Sequence, residues 1–99
     1  MSDRTIGILG LGIFGSSVLT ALAKQDMNII AIDDHAEHIN QFEPVLARGV
    51  VGDITDEELL RTAGIDTCDT VVVATGENLE SSVLAVMHCK SLGVPSVIA

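Results

Sequence analysis

Five short apolar runs recur along this chain at nearly even spacing, and they constrain the fold more than any other feature. Each is four or five residues long and rich in Ile and Val: residues 5–9, 28–32, 48–51, 70–74 and 96–99. Their starts lie 20 to 26 residues apart, which leaves room for one helix between neighbouring runs. The pattern therefore predicts an α/β fold in which five parallel strands alternate with helices.

The composition supports a parallel sheet that is buried on both faces. Of the 99 residues 47% are hydrophobic, yet only two are aromatic, so Val, Ile, Leu and Ala must fill the core. This length predicts a single domain over residues 1–99. Because the sequence stops on its fifth run, before the sixth strand of a full doubly wound sheet, we expect it to be a fragment of a longer protein.

Helix signals fill the gaps between the runs. Helices are expected over residues 14–24, from after Asp34 to Pro44, from a capping box at residues 55–58 to Gly64, and over residues 79–92 before Gly93 and Pro95. In the last helix, residues recur at helical spacing at Val83, Val86, Met87 and Lys90. Asp34 is interpreted as the N-cap of the second helix, and Asn78 or Ser81 as the cap of the fourth.

A glycine-rich turn joins the first predicted strand to the first predicted helix. Its residues are Gly10, Leu11, Gly12, Ile13, Phe14 and Gly15, and Asp33 follows 18 residues after the last glycine, at the end of the second strand. In such a turn the first glycine permits the tight bend, the second lets a pyrophosphate approach the backbone, and the third lets helix and strand pack closely. The arrangement predicts a Rossmann-like doubly wound sheet with strand order 3-2-1-4-5 that binds a nucleotide.

Carboxylates at the ends of the strands are the other candidate ligand contacts. Asp33 is expected to accept the ribose hydroxyls of an adenosine, and a 2′-phosphate beside it would cost about 4 kcal/mol at 4 Å with an effective dielectric of about 20, which disfavours NADP. Asp53 is interpreted either as a partner of the adenine amino group or as an acid at a helix start. Gly76, after the fourth strand, is interpreted as a glycine that a ligand approaches closely.

Charge and composition exclude several function classes. Fourteen acidic and five basic residues give a net charge of -9, which repels nucleic acid and anionic membrane surfaces. Residues 5–23 lack charge, but the glycines within them argue against a targeting or membrane-spanning helix. Cys68 and Cys89 are interpreted as buried free thiols of a reducing cytoplasm rather than a disulfide.

The histidines and the candidate nucleophiles of the sequence do not predict a catalytic centre or a metal site. His35 and His38, beside Asp34 and Glu37, are interpreted as a solvated helix start rather than a metal site, and His88 as a helix-surface residue. No Ser-His-Asp, Cys-His or paired-carboxylate arrangement is recognisable in the sequence. We therefore expect no metal and no enzymatic turnover.

Four segments together resemble a known family. GILGLGIFGSS, AIDD, VVGDITDEELLRTAGI and VVVATGENLESSVLA occur in this order, and they resemble the N-terminal nucleotide-binding domain (RCK, also termed TrkA-N) of Trk/Ktr potassium-uptake regulators. The resemblance implies contacts to NAD(H), ATP, ADP or AMP from the following positions: Gly10, Leu11, Gly12, Ile13, Phe14, Gly15, Asp33, Asp34, Asp53, Ile54, Ala74, Thr75, Gly76 and Glu77. Many Ktr-type members carry Arg where this chain has Ile13, which shifts the expectation from triphosphates toward a dinucleotide or an AMP-like ligand.

Two functions follow from these observations. The resemblance implies a regulatory, non-catalytic domain of a cytoplasmic homodimer or higher homo-oligomer, attached at the inner face of the plasma membrane to a potassium channel or transporter. The alternative is the cofactor-binding domain of an NAD-dependent dehydrogenase, cut short before its substrate domain. The GDIT and ATGEN segments, and the lack of a candidate acid or base, favour the first.

Overall fold

Strands and helices alternate through residues 4–99, the part of the chain that the computed structural model describes. The strands are β1 (Thr5–Leu9), β2 (Asn28–Asp33), β3 (Arg48–Val51), β4 (Thr70–Val73) and β5 (Ser96–Ile98). The helices are α1 (Ile13–Leu22), α2 (Ala36–Phe42), α3 (Glu57–Ala63) and α4 (Leu79–Ser91), and short 3-10 turns cover Glu43–Val45 and Ile65–Thr67. The alternation predicted from the apolar runs is confirmed.

All five strands form one parallel sheet in the order β3-β2-β1-β4-β5, as predicted. The order reverses beside β1, whose Leu9 is in register with Ile32 of β2 and Val73 of β4. The carboxyl ends of these three strands therefore lie level with one another, and the chain leaves β1 directly into the glycine-rich turn. In open α/β sheets this reversal point is where ligands bind.

Helices cover the sheet on both faces, and the central strands β1 and β2 contribute side chains to two separate cores. On one face, α1 and α2 bury Leu19 and Ile39 against Ile8 and its neighbours. On the other face, α3 and α4 bury Leu60 and Cys89 against the strand side chains that point to that face. Burial of aliphatic side chains at about 25 cal/mol per Å² on both faces is the main stabilising contribution, as expected for a doubly wound sheet.

Gly7, in the middle of β1, has a packing role that the sequence analysis did not assign. A Cβ atom there would lie 3.0 Å from Ile65, 3.1 Å from Cys68 and 3.2 Å from Val71. The small residue thus lets the chain after α3 approach the sheet closely. Cys68 is 2% exposed, and both cysteines are free and buried, as predicted.

Two predicted helix starts are wrong by one or more residues. The second helix begins at Ala36 after His35, and exposed Asp34 makes no capping bond, because the N–H of His35 instead donates to Asp33. In α3 the cap is Asp56, not Thr55: its carboxylate accepts from the N–H groups of two residues in the first turn. Thr and Asp are both favourable N-cap residues, so at residues 55 and 56 only the backbone path selects one of them.

The fourth helix is capped by Asn78, whose side chain accepts from the N–H of Ser81, so the expected cap is confirmed. Its buried residues are Ala85 and Cys89, while Val83 and Met87 are exposed. The segment is thus helical, as its spacing predicted. The side of α4 that faces the sheet, however, carries small residues, and larger apolar residues are exposed to solvent. Within residues 4–99, no helix is both long and apolar enough to span a bilayer.

Candidate functional site

A cleft of about 650 Å³ opens at the carboxyl ends of the strands, where the strand order reverses. Most of the residues predicted to contact a ligand line it: Gly10, Gly12, Ile13, Phe14, Asp33, Asp34, Asp53, Ile54, Ala74, Thr75, Gly76 and Glu77. They come from segments far apart in sequence, which the parallel sheet brings to one edge. The volume falls within the range of about 300–1,000 Å³ that is usual for small-molecule sites.

Leu11 and Gly15, also predicted to contact a ligand, do not line this cleft. Leu11 is 1% exposed, with its side chain in the core beneath α1. Gly15 is buried and lies so close to the carbonyl of Gly10 that a Cβ atom at this position would overlap it. Both residues instead pack against the rest of the protein and help to fix the conformation of the turn.

The glycines of the turn differ in whether a side chain at their position would collide with other atoms of the protein. Gly10 has a φ of 101°, in the left-handed region, and lies against the carbonyl of Ala74, so the tight bend excludes other residues. Gly12 has an ordinary φ of -72°, and apart from its chain neighbours no heavy atom of residues 4–99 lies within 4 Å of where its Cβ would be. The space above Gly12 is thus open toward the cleft, while Gly10 and Gly15 are constrained by the protein itself.

The N-terminus of α1 faces this open space. Gly12 is its N-cap, no side chain caps it, and no acidic residue lies in its first turn. The first N–H groups of a helix lack partners within the helix, and they carry the positive end of its dipole. This end of α1 can therefore accept an anionic group without competition from a carboxylate of its own first turn.

Asp33, at the end of β2, is 6% exposed and connects the two halves of the site. One carboxylate oxygen, Oδ2, accepts from the N–H of Leu11 at 2.6 Å, and the other, Oδ1, accepts from the N–H of His35 at 2.8 Å. Burial by itself raises the pKa of this carboxyl, but these two N–H groups and His38 outweigh it and hold the pKa below its usual value. Asp33 is therefore an ionised acceptor that also fixes the glycine-rich turn.

His35 and His38 line the cleft beside Asp33, and the sequence analysis did not include them in the site. The Nδ1 atom of His38 lies 3.0 Å from Asp33 Oδ1, and that of His35 lies 2.7 Å from Asp34 Oδ1 and 3.3 Å from Asp33 Oδ1. The carboxylate of Asp34, followed by that of Asp33, raises the pKa of His35. The spacing of the two histidines in the sequence could have indicated this cluster. Their common neighbour, however, is Asp33 and not Asp34 or Glu37.

The ends of β3 and β4 form the far wall. Asp53 Oδ1 accepts from the N–H of Thr55 at 2.9 Å and from its hydroxyl at 2.7 Å, and both bonds lower the pKa of Asp53. Gly76 has a φ of 71°, and no atom lies within 4 Å of where its Cβ would be, so the loop after β4 leaves room at this position. Three further lining residues, Gly52, Asn78 and Ser81, were not predicted.

His88 is not simply a surface residue of α4, contrary to expectation. Its Nδ1 lies 3.0 Å from Glu57 Oε1 and its Nε2 lies 3.0 Å from the carbonyl oxygen of Thr55. The imidazole thereby joins α4 to the start of α3. It supports the loop that carries Asp53 without lining the cleft.

Carboxylates make the lining of the cleft predominantly negative. Four carboxylates line it, those of Asp33, Asp34, Asp53 and Glu77. Among residues 4–99 no lysine or arginine lies in its lining. The cleft thus offers backbone N–H groups to an anion, and carboxylates to hydroxyl or amino donors.

The sheet order and the glycine-rich turn at its reversal point define a Rossmann-type α/β domain. The chain belongs to the TrkA-N domain family, whose model matches residues 6–99. It is 34% identical over 94 residues to the Ktr system potassium uptake protein C of Bacillus subtilis, covering 95% of this chain and 42% of the relative. The Ktr system potassium uptake protein A of the same organism is 28% identical, covering 98% of this chain and 44% of the relative. The chain thus spans less than half the length of these relatives.

Solved structures show the same fold. The Kef C-terminal domain of Shewanella denitrificans, in an AMP-bound form, superimposes with a TM-score of 0.78 at 22% identity, covering 96% of this chain and 57% of that one. Saccharopine dehydrogenase of Saccharomyces cerevisiae also has a TM-score of 0.78, at 18% identity, covering 97% of this chain and 21% of that one. Identities this low establish the fold alone, which enzymes and other proteins share.

Proposed function

We propose that this chain is a non-catalytic regulatory domain that binds an adenine nucleotide in the cleft at the carboxyl edge of its sheet. The observation that carries the proposal is the convergence of three features: the open space above Gly12, the uncapped N-terminus of α1 and the buried carboxylate of Asp33. The first two suit a phosphate and the third suits a ribose hydroxyl. The AMP-bound Kef domain of the same fold supports this assignment.

The charges of the cleft favour ligands with few phosphates. With four carboxylates and no lining cation among the described residues, each added phosphate increases the repulsion that the α1 N-terminus has to offset. Ile13, which is 93% exposed at the cleft, supplies no charge where many Ktr-type members have Arg. We therefore expect AMP and NAD(H) to bind more tightly than ATP when no divalent cation is added.

Calorimetry with AMP, ADP, ATP and NAD tests the site through Gly12→Ala. The added methyl group meets no protein atom but enters the space proposed for the phosphate, so binding should weaken at least tenfold while the melting temperature changes little. Ser17→Ala, on the exposed side of α1 and outside the cleft, is the matched control and should bind as the unaltered protein does. If no nucleotide binds at millimolar concentration, or if Gly12→Ala binds unchanged, the proposed site is wrong.

The carboxylates of Asp33 and Asp53 are ionised acceptors, which suits a binding role. Hydrogen bonds lower the pKa of both Asp33 and Asp53, so neither holds a proton near neutral pH that it could donate to a substrate. The thiols of Cys68 and Cys89 are buried with raised pKa values. Reduced cofactor should persist in the presence of the protein, and a steady protein-dependent loss of its absorbance with hydroxy or keto acids would favour the dehydrogenase alternative.

The similarity to potassium uptake proteins supports a role for the whole protein in potassium transport. In this proposal the protein is cytoplasmic, lies at the inner face of the plasma membrane through contact with a potassium channel or transporter, and changes that partner's activity when nucleotide binds. Co-purification of the full-length protein with its transporter, with and without nucleotide, tests the proposal. Full-length protein that never associates with a membrane transporter would contradict it.

Exposed apolar side chains support homo-oligomerisation. On α4, Leu79, Val83 and Met87 follow one another at intervals of four residues and are 75%, 48% and 59% exposed. Ile98 on the edge strand β5 is also exposed. Exposed apolar side chains of this kind are favourable to bury between subunits. Light scattering of the full-length protein should give a dimer or larger assembly, whereas a strict monomer would refute this part of the proposal.

A further inference from the structure

The carboxylate oxygen Oδ1 of Asp33 has three nitrogen neighbours, two of them in imidazole rings. The backbone N of His35 lies at 2.8 Å, Nδ1 of His38 at 3.0 Å and Nδ1 of His35 at 3.3 Å. A carboxylate oxygen offers about two lone-pair directions. One of these is used by the backbone N–H, and Nδ1 of His35 lies nearer to Asp34 Oδ1, at 2.7 Å, so the two imidazole nitrogens share a small space beside the carboxylates of Asp33 and Asp34.

Two of the three separations between these atoms are close to those of neighbouring ligands around a tetrahedral metal ion. With metal–nitrogen and metal–oxygen bonds of about 2.0–2.1 Å, neighbouring ligand atoms in a tetrahedral zinc site lie about 3.3 Å apart. The two imidazole nitrogens lie 3.0 Å and 3.3 Å from Asp33 Oδ1. All three atoms lie within 4.8 Å of one another, so closing the site requires the two rings to approach by at most about 1.5 Å.

The surroundings permit that movement and favour a cation. The side chain of His35 is 59% exposed and that of His38 is 35% exposed, so both rings can turn without disturbing the core. The Asp33 carboxylate is 6% exposed and held from below by the N–H of Leu11, which gives the site one rigid ligand. Asp34 and Glu37 add negative charge next to His35.

We propose that Asp33, His35 and His38 bind a divalent transition-metal ion, zinc above all, through one carboxylate oxygen and two imidazole nitrogens. Imidazole ligands select zinc, cobalt, nickel or copper over magnesium and calcium, which prefer oxygen. Because only three protein ligands are present, at least one coordination position remains for water. The site lies in the nucleotide cleft and shares Asp33 with it, but zinc binding does not require a bound nucleotide.

Calorimetric titration of the protein with ZnCl₂ at pH 7.5, together with the visible absorption of added Co²⁺, tests the proposal. We expect one ion per chain, with a cobalt spectrum typical of tetrahedral coordination by nitrogen and oxygen. His35→Gln and His38→Gln should each weaken zinc binding at least tenfold, and the double variant should abolish it. His88→Gln is the matched control, because it removes the third histidine of the chain, on α4 away from the cluster, and should leave zinc affinity unchanged.

Thermal unfolding without metal shows whether each variant remains folded, since the two replaced rings are largely outside the core. Absence of zinc binding to the unaltered protein at 1 mM, a concentration on the order of the weakest metal sites known, would overturn the proposal. Binding that persists in the double variant, or sulfur-to-cobalt charge transfer from the cysteines, would overturn it equally. Because both sites use Asp33, nucleotide binding is tested separately by Gly12→Ala, which leaves all three metal ligands in place.

Discussion

Replacing Gly15 by alanine should destabilise the fold, although alanine is the better helix former and Gly15 lies within α1. The reason is the close contact between α1 and the turn that precedes it. A Cβ atom at this position would lie 2.9 Å from the carbonyl carbon of Gly10, overlap its oxygen, and lie 3.3 Å from Cβ of Ala74. Backbone atoms cannot turn away as the end of a flexible side chain can.

The size of the effect follows from the displacement required. Carbon atoms pack best at about 3.5–4.0 Å, so α1 must move by at least about 0.6 Å from the carbonyl carbon, and further to free its oxygen. Forced overpacking costs about 1–3 kcal/mol, and we expect the upper end because both partners are backbone. For a domain of this size, about 3 kcal/mol lowers the melting temperature by about 12–24 °C. Such a loss is a large part of the free energy of unfolding of a typical domain, which is about 5–15 kcal/mol.

Gly12→Ala is the natural comparison, because it makes the same chemical change three residues earlier, where no atom lies within 4 Å. Its effect on unfolding should be no more than about 1 kcal/mol, the order of the difference between Gly and Ala at an N-cap. Urea and thermal unfolding of both variants, followed by circular dichroism, measure the difference. If Gly15→Ala melts within about 3 °C of the unaltered protein, or if Gly12→Ala is the less stable of the two, the packing argument is wrong.

Three other predictions concern ionisable groups. NAD should bind at least tenfold more tightly than NADP because the 2′-phosphate meets the Asp33 carboxylate, and Asp33→Ala should narrow that gap in calorimetry; equal binding to the unaltered protein would refute the assignment. Because folding lowers the pKa of Asp33, its stabilising contribution is complete well above the usual value of 3.8 and is lost as pH falls through the lowered pKa. Asp33→Asn should therefore show a shallower loss of urea stability on acidification, and an identical slope would contradict this. Burial raises the pKa of Cys68 to about 12 and of Cys89 to about 11, so a thiol reagent at pH 8 should label neither until denaturant is added, and rapid labelling of the native protein would contradict their burial.

Local patterns in the sequence were enough to predict most of the architecture. Hydrophobic runs separated by helix-length segments imply parallel strands, and a glycine-rich turn followed by Asp33 implies where the strand order reverses, because both depend on short-range periodicity and on conformations that only glycine adopts. The helix end at Gly64 was predicted for the same reason, and its φ of 94° confirms it. Family membership, too, is carried by short segments that keep their order along the chain.

Packing between distant segments decided the rest. The close packing of Gly15 was predicted from its place in the turn, but sequence spacing alone did not reveal that Leu11 faces the core rather than the cleft. Nor did it reveal that His35 and His38 both turn toward Asp33, since side-chain direction depends on where α2 begins. Periodicity along the chain determines which residues form an element, whereas contacts between elements determine which atoms meet at the site, and only the folded chain brings those contacts together.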